Sequence, residues 1–314
     1  RRIFLAFLLI LFLESPLWAA TEYFVAKTGS DANACTSGSP CLTVNHGLTK
    51  LASGDTLTIR AGTYTEYYCK SCGTTPIPDG GGEGTRTIIR GATGEAVILI
   101  PPSGISPLFT FNDERFMTFQ NLIVDGTGHA GFDAINMRDN HLGGASAFKL
   151  RFQDMEFRNN QGGVGGPSGY RPFGAHEFID INIHDVQKSL TCLDGNCGHV
   201  FYTHGDDHLF NRVTIDATNV GNAANYCFHI YDGAYTRKNA WIIRNSTLKN
   251  CKNHAIACYA CDDAIIENNV IHGPNGGGSG SGIVLGFSNR TQIRNNTING
   301  VQGAGIYITP GSDT

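Results

Sequence analysis

Ala264-Ile-Ile-Glu-Asn-Asn-Val-Ile-His-Gly273 returns as Thr291-Gln-Ile-Arg-Asn-Asn-Thr-Ile-Asn-Gly300. An earlier copy reads Trp241-Ile-Ile-Arg-Asn-Ser-Thr-Leu-Lys-Asn250. The shared pattern is apolar-x-Asn-x-x-apolar. Each copy follows a short alternating run: Cys227-Phe-His-Ile-Tyr231, Ala255-Ile-Ala-Cys-Tyr259 and Gly282-Ile-Val-Leu-Gly286. A supersecondary unit recurring at a near-fixed period is the signature of a solenoid. Ile243 and Ile266 are 23 residues apart, and Ile266 and Ile293 are 27 apart.

Looser copies begin at Phe119, Phe152, Phe178 and Phe210, the last with Arg212 in the Asn place. A leucine-rich repeat needs a leucine ladder, which this chain lacks. Helical repeats need a 3.6-residue period and few glycines, whereas there are 40 Gly here. Alternating apolar residues punctuated by turn formers predict short strands. The expected fold is therefore all-β: a parallel β-helix, one coil per repeat, with strands stacked about 4.8 Å apart. At the bend between two strands Asn tolerates the left-handed backbone region. Stacked on its neighbours, it can also form an amide ladder. Asn245, Asn268 and Asn295 are expected to be structural.

Arg1-Arg2 followed by Ile3 to Leu13 reads as the charged and apolar regions of a secretory signal, and Leu17-Trp-Ala-Ala20 offers a cleavage site. The expected organisation is a signal over 1–20 and one β-helix domain over 21–314, exported, monomeric and without a membrane span. The chain stops at a coil's first strand, Gly303-Ala-Gly-Ile-Tyr-Ile-Thr309, so further coils are expected beyond it. A formal net charge of −4 supplies no basic field for nucleic acid. The 10 Cys suit an oxidising compartment. Cys35/Cys41, Cys69/Cys72 and Cys192/Cys197 are spaced for local disulfides, and the pairing of Cys227, Cys251, Cys258 and Cys261 stays open. Zinc held by Cys69-Lys-Ser-Cys72 and Cys258-Tyr-Ala-Cys261 is the weaker alternative. Leu42, Val44, Leu48 and Leu51 share a helical face. That helix is expected to cap the open N-terminal end of the stack.

The opening Thr21-Glu-Tyr-Phe-Val-Ala-Lys-Thr-Gly-Ser-Asp, the run Gly54-Asp-Thr-Leu-Thr-Ile-Arg-Ala-Gly-Thr-Tyr-Thr-Glu66 and the Ile-x-Asn-Asn-x-Ile-x-Gly coils together resemble the right-handed parallel β-helix proteins of the pectate-lyase-like superfamily. That resemblance covers nearly all of residues 21–314. It implies a carbohydrate-active protein, since the superfamily holds polysaccharide lyases, glycoside hydrolases and epimerases alongside proteins of no known activity. Fold alone does not choose among them.

Inward places of a β-helix are filled by core, so a site must lie outward. Aligning the first strands predicts Phe228/Ile230, Ile256/Cys258 and Ile283/Leu285 inside, with His229, Tyr231 and Tyr259 outside. One coil earlier, Val200/Tyr202 are expected inside and Phe201/Thr203 outside. Asn136 and Arg138 are expected outside before that. His229, Tyr231, Tyr259 and Phe201 are the candidate saccharide-binding residues. Thr203-His-Gly-Asp-Asp-His208 is the richest titratable stretch. Asp206 and Asp207, with His204 and Arg138, are the candidate catalytic residues. Paired carboxylates can work as acid and base on a glycosidic bond. Alternatively Asp206, Asp207 and Asp232 can hold Ca²⁺ against a uronate while Arg138, Lys149 or Arg151 removes the C5 proton. Polygalacturonases carry similar aspartates, but here Gly198-His199 precedes Gly205-Asp-Asp and no Arg-x-Lys follows. An ordinary polar turn, on a non-catalytic glycan-binding or adhesion protein, is the competing reading. The loop from Gly162 to Gly174, with Tyr170, Arg171 and His176, is expected to wall the groove.

Overall fold

The structure is a computed structural model. It describes residues 20–69, 77–105, 107–129, 133–137, 148–159, 162–164, 174–186, 199–203, 205–217, 226–231, 238–251, 253–273 and 280–310. The expected signal segment lies outside them but for its last residue, Ala20. No helix among the described residues is long and apolar enough to cross a membrane.

The strands stack as the repeat predicts. Ten run parallel in one sheet path, from Glu22–Val25 through Arg151–Arg158, Glu177–His184 and Leu209–Asp216 to Gln292–Arg294. A second wall has two parts. A four-stranded sheet holds Tyr68–Cys69, Phe109–Phe111, Asp133–Met137 and Gly162–Val164. A five-stranded sheet holds His199–Thr203, Tyr226–Tyr231, His254–Tyr259, Ile283–Gly286 and Ile306–Ile308. The register between repeats is direct: Ile243 lies on Ile266, and Ile266 on Ile293.

Between the two walls lies the core. Phe119, Phe152, Phe178 and Phe210, the first residues of the looser repeats, stack ring on ring at 5.4, 5.1 and 5.0 Å. Such offset stacks add about 1 kcal/mol each beyond the area they bury. Every residue in the Asn place bends the chain with positive φ: Asn121, Asp154, Asp180, Arg212, Asn245, Asn268 and Asn295 all fall between 51° and 57°. The amide ladder sits one residue further on. Asn269 donates to the Ile243 carbonyl at 2.9 Å and accepts from the Ser246 N–H at 2.9 Å. Asn296 repeats this, donating to Ile266 and accepting from the Asn269 N–H. The left-handed residue turns the chain, and its neighbour satisfies the turn's buried backbone groups.

The N-terminal helix is shorter than expected, Val44–Leu48. Thr43 caps it, and the Glu66 carboxylate accepts the N–H groups of Val44 and Asn45 at 2.9 and 2.7 Å. Val44 and Leu48 are buried, whereas Leu42 is 37% exposed because it precedes the helix. A Cβ on Gly47 would stand 2.7 Å from Val25 and 2.8 Å from Leu57, so the helix seats directly on the first coil. Cys35 pairs with Cys41 as spaced, Cys227 with Cys251, and Cys258 with Cys261. The last pairing removes the zinc reading of that motif. Cys69 is disulfide-bonded, while Cys72, Cys192 and Cys197 lie outside the described residues.

Candidate functional site

Strand alternation decides which side chains leave the five-stranded sheet. In Tyr226–Tyr231 the buried Phe228 and Ile230 point inward, so His229 between them points outward. Phe201 lies in register with Phe228, Tyr202 with His229 and Thr203 with Ile230. This corrects the expected phase by one residue. Phe201, fully buried and stacked on Phe228 at 4.9 Å, belongs to the core and cannot meet a ligand. Thr203 is buried with it, and Tyr202, itself only 9% exposed, takes the place beside His229.

Around His229 the outward side chains converge. His199 stacks on Tyr226 at 4.7 Å and on Tyr202 at 5.3 Å. His229 lies 4.5 Å from the His199 ring, 4.9 Å from Tyr202 and 4.6 Å from Tyr226. Tyr226 continues to His254 at 5.2 Å, and Tyr259 meets His229 edge-on at 6.1 Å. The two imidazoles of His199 and His229 share one hydrogen bond, Nε2 to Nδ1, at 3.2 Å. Burial lowers the pKa of His199 to about 4, so at neutral pH it is uncharged. Burial also lowers that of His254, whose Nδ1 accepts the Ser281 N–H at 3.1 Å. The phenols of Tyr226 and Tyr259 are pushed up, chiefly by burial, and stay protonated.

Tyr259 lies flat because Gly286 is beneath it: a Cβ there would stand 2.3 Å from Cδ1 of the ring. Tyr231 is in register with Tyr259, and its side chain is not among those described. Arg138, His204 and Asp232 lie outside the described residues, as do Tyr170 and Arg171.

The carboxylates sit at the turn that ends strand His199–Thr203. Asp207 is exposed with φ 59°, and Asp206 is half-buried with its carbonyl accepting the Ala175 N–H at 2.8 Å. Ala175, Ala240, Asp263 and Arg290 hold the same left-handed bend at their own corners. His208, the last residue of the stretch, turns into the wall. Its Nδ1 accepts the His176 N–H at 3.1 Å, and the two rings stack at 5.1 Å. His176 is fully buried, not a groove residue, and its own Nδ1 accepts the Leu150 N–H. Lys149 and Arg151 belong to the other wall. Lys149 pairs with Glu83 at 2.9 Å, and Arg151 pairs with Glu177.

Residues 199–314 match the family model described as right handed beta helix region. Two solved structures show how far the likeness extends. The complex of XylC with xylose has a TM-score of 0.59 at 10% identity, covering 92% of this chain and 70% of that one. The pectate lyase Pel9A has a TM-score of 0.54 at 14% identity, covering 94% and 78%. The fold is a right-handed parallel β-helix. At such identities the likeness fixes the β-helix and leaves its chemistry to the residues. No curated protein sequence matches significantly.

His199, Tyr202, Tyr226 and His254 escape a reading by simple alternation. They carry a signal nonetheless: His199, Tyr226 and His254 open successive strands of the β-helix and pair directly in register. That column of imidazole, phenol and imidazole, one per coil, is the signal.

Proposed function

We propose that this chain is an exported carbohydrate-active β-helix protein. It binds an acidic polysaccharide along the outer face of the five-stranded sheet and cleaves it by β-elimination or hydrolysis. One observation carries the reading: Tyr226, His229, His254 and Tyr259 converge, part-exposed, on one outward patch, with the buried His199 and Tyr202 packed against it. Flat aromatic faces with polar edges suit pyranose rings, which offer apolar faces and peripheral hydroxyls. The buried disulfides support export, because they persist in oxidising compartments. Asp206 and Asp207 are oxygen donors of the kind Ca²⁺ takes, two in one turn. Together with Asp232 they would hold it, and the ion would neutralise a uronate carboxylate.

A second reading keeps the binding and drops the chemistry. It is favoured by Lys149 and Arg151, which sit in ion pairs on the opposite wall and so cannot serve as the base at this patch. The test is the mature protein on a panel of acidic and neutral polysaccharides, with and without Ca²⁺, following unsaturated-uronate absorbance and reducing ends together. Absorbance with reducing ends identifies β-elimination, and reducing ends alone identify hydrolysis. Silence in both, with binding retained, leaves a recognition surface.

A further inference from the structure

We propose that the outer face of the ten-strand path joins two copies of this chain in a two-fold dimer, with Arg244 of each copy set on Glu267 of the other. This wall lies opposite the aromatic patch, and the inference stands independently of the polysaccharide reading. In the strands Leu209–Asp216, Ile242–Arg244 and Ile265–Glu267 the buried Phe210, Ile243 and Ile266 point inward. The residues on either side of each therefore point outward. Leu209, Ile242 and Ile265 form one outward column in direct register, each half-buried. The preceding two places of that column hold the ion pair Arg151–Glu177, and the next holds Gln292. The face thus turns from charged to aliphatic over three consecutive coils. A part-exposed aliphatic ladder inside a polar frame has the composition of an interface core and its rim.

Beside the ladder stands a charge that the chain itself leaves unused. Arg244 is half-buried, and its Nε is buried without a hydrogen-bond acceptor. It lies in register with Glu267, yet the Oε2 of Glu267 accepts from the Nε of Arg294 at 2.7 Å. Arg212 and Arg290 likewise hold acids of their own, Asp180 and Asp263. A buried guanidinium donor without an acceptor is destabilising in the lone chain, and Arg is among the side chains that anchor interfaces. The face is complementary to itself. Take a two-fold axis lying in the interface, parallel to the strands and midway between Ile242–Arg244 and Ile265–Glu267. It sets Ile242 on Ile265 of the second copy and Arg244 on Glu267 of the second copy, each contact made twice. Arg294 engages Oε2 of Glu267, and the second oxygen, Oε1, receives the incoming guanidinium. Few side chains take part, so the association is of the weak, concentration-dependent kind. Because the core separates the two walls, both aromatic patches stay uncovered in the dimer.

Sedimentation equilibrium of the mature protein over a concentration series tests this, with Arg244→Glu, Glu267→Arg and an equimolar mixture of the two variants. The wild type should approach the mass of two chains as its concentration rises. In Arg244→Glu acid meets acid across the axis, and in Glu267→Arg guanidinium meets guanidinium. Each variant alone should lose at least about tenfold in association constant. The mixture brings opposite charges together at both contacts and should pair at least as tightly as the wild type. Melting temperatures establish that each variant is folded. Arg244→Gln, which introduces no repulsion, should weaken association several-fold and decides the matter if a reversed variant fails to fold. A wild type that stays a single chain at every concentration, as the sequence alone suggests, overturns the proposal. So does association that the substitutions leave unchanged, which would place the contact on another face. Folded variants that remain apart when mixed overturn it as well, because they show that Arg244 and Glu267 do not meet.

Discussion

At the scale of single residues, neighbouring asparagines do different work. Asn268 holds φ at 55°, a region costing an ordinary L-residue roughly 1–2 kcal/mol. Asn269 beside it is buried, with its amide bonded on both sides. Asn268→Gly should therefore leave stability within a few tenths of a kcal/mol, and Asn268→Ala should cost about 1 kcal/mol. Asn269→Ala strands the Ser246 N–H, takes one bond from the Ile243 carbonyl and should cost about 1–3 kcal/mol. Urea unfolding of the three variants checks the order, and equal losses would refute the division of labour. Gly286→Ala belongs here too. Its new methyl would displace the Tyr259 ring, so oligosaccharide affinity should fall several-fold while the melting temperature hardly moves. The left-handed positions were legible in the sequence, because few side chains tolerate that bend and Asn is chief among them. The ladder was legible as well but not its place, because two adjacent asparagines look alike until one is buried.

At the scale of one element, the His176–His208 stack ties a turn to the pH. Each Nδ1 accepts a backbone N–H, from Leu150 and from His176, so neither nitrogen can carry a proton in the folded wall. Burial first, and the neighbouring His208 second, hold the pKa of His176 well below its ordinary 6.5. The unfolded chain binds the proton more readily. The stack's contribution is therefore complete above pH 6.5 and is lost progressively as the pH falls below that value. Unfolding free energy measured from pH 8 to pH 5 should decline on the acid side. In His176→Asn, whose amide oxygen can accept the same N–H without titrating, that decline should be shallower. An unchanged slope would remove His176 from the account. The same element shows why the face assignment failed for His199–Thr203. Val200, Phe201 and Tyr202 are all apolar or aromatic, so alternation carries no phase. A one-residue slip exchanges the faces. Only pairing with Phe228 and His229 sets it.

At the scale of the whole molecule, stability is spread along a stack in which each coil touches only its neighbours. The cross-coil ion pairs are a weak part of it. The arginines of Arg212–Asp180, Arg290–Asp263 and Arg294–Glu267 reach into solvent, where screening leaves such pairs little net worth. The buried Phe stack and the disulfides matter more. Cys227–Cys251 closes 24 residues of chain within the coils that carry the patch, a constraint worth about 3 kcal/mol. Its two sulfurs are interior, so replacing both cysteines with Ala also removes core contacts at the base of Tyr226 and His229. Nearest-neighbour coupling makes the consequence local. Amide exchange in the double Ala variant should accelerate over 226–310 while the coils from Glu22 to Gln120 keep their protection. Oligosaccharide binding should weaken in parallel, because the column His199–Tyr226–His254 runs through the loosened coils. Uniform acceleration along the chain would show instead that the β-helix opens as one unit and that the disulfide steadies the patch no more than it steadies the far end.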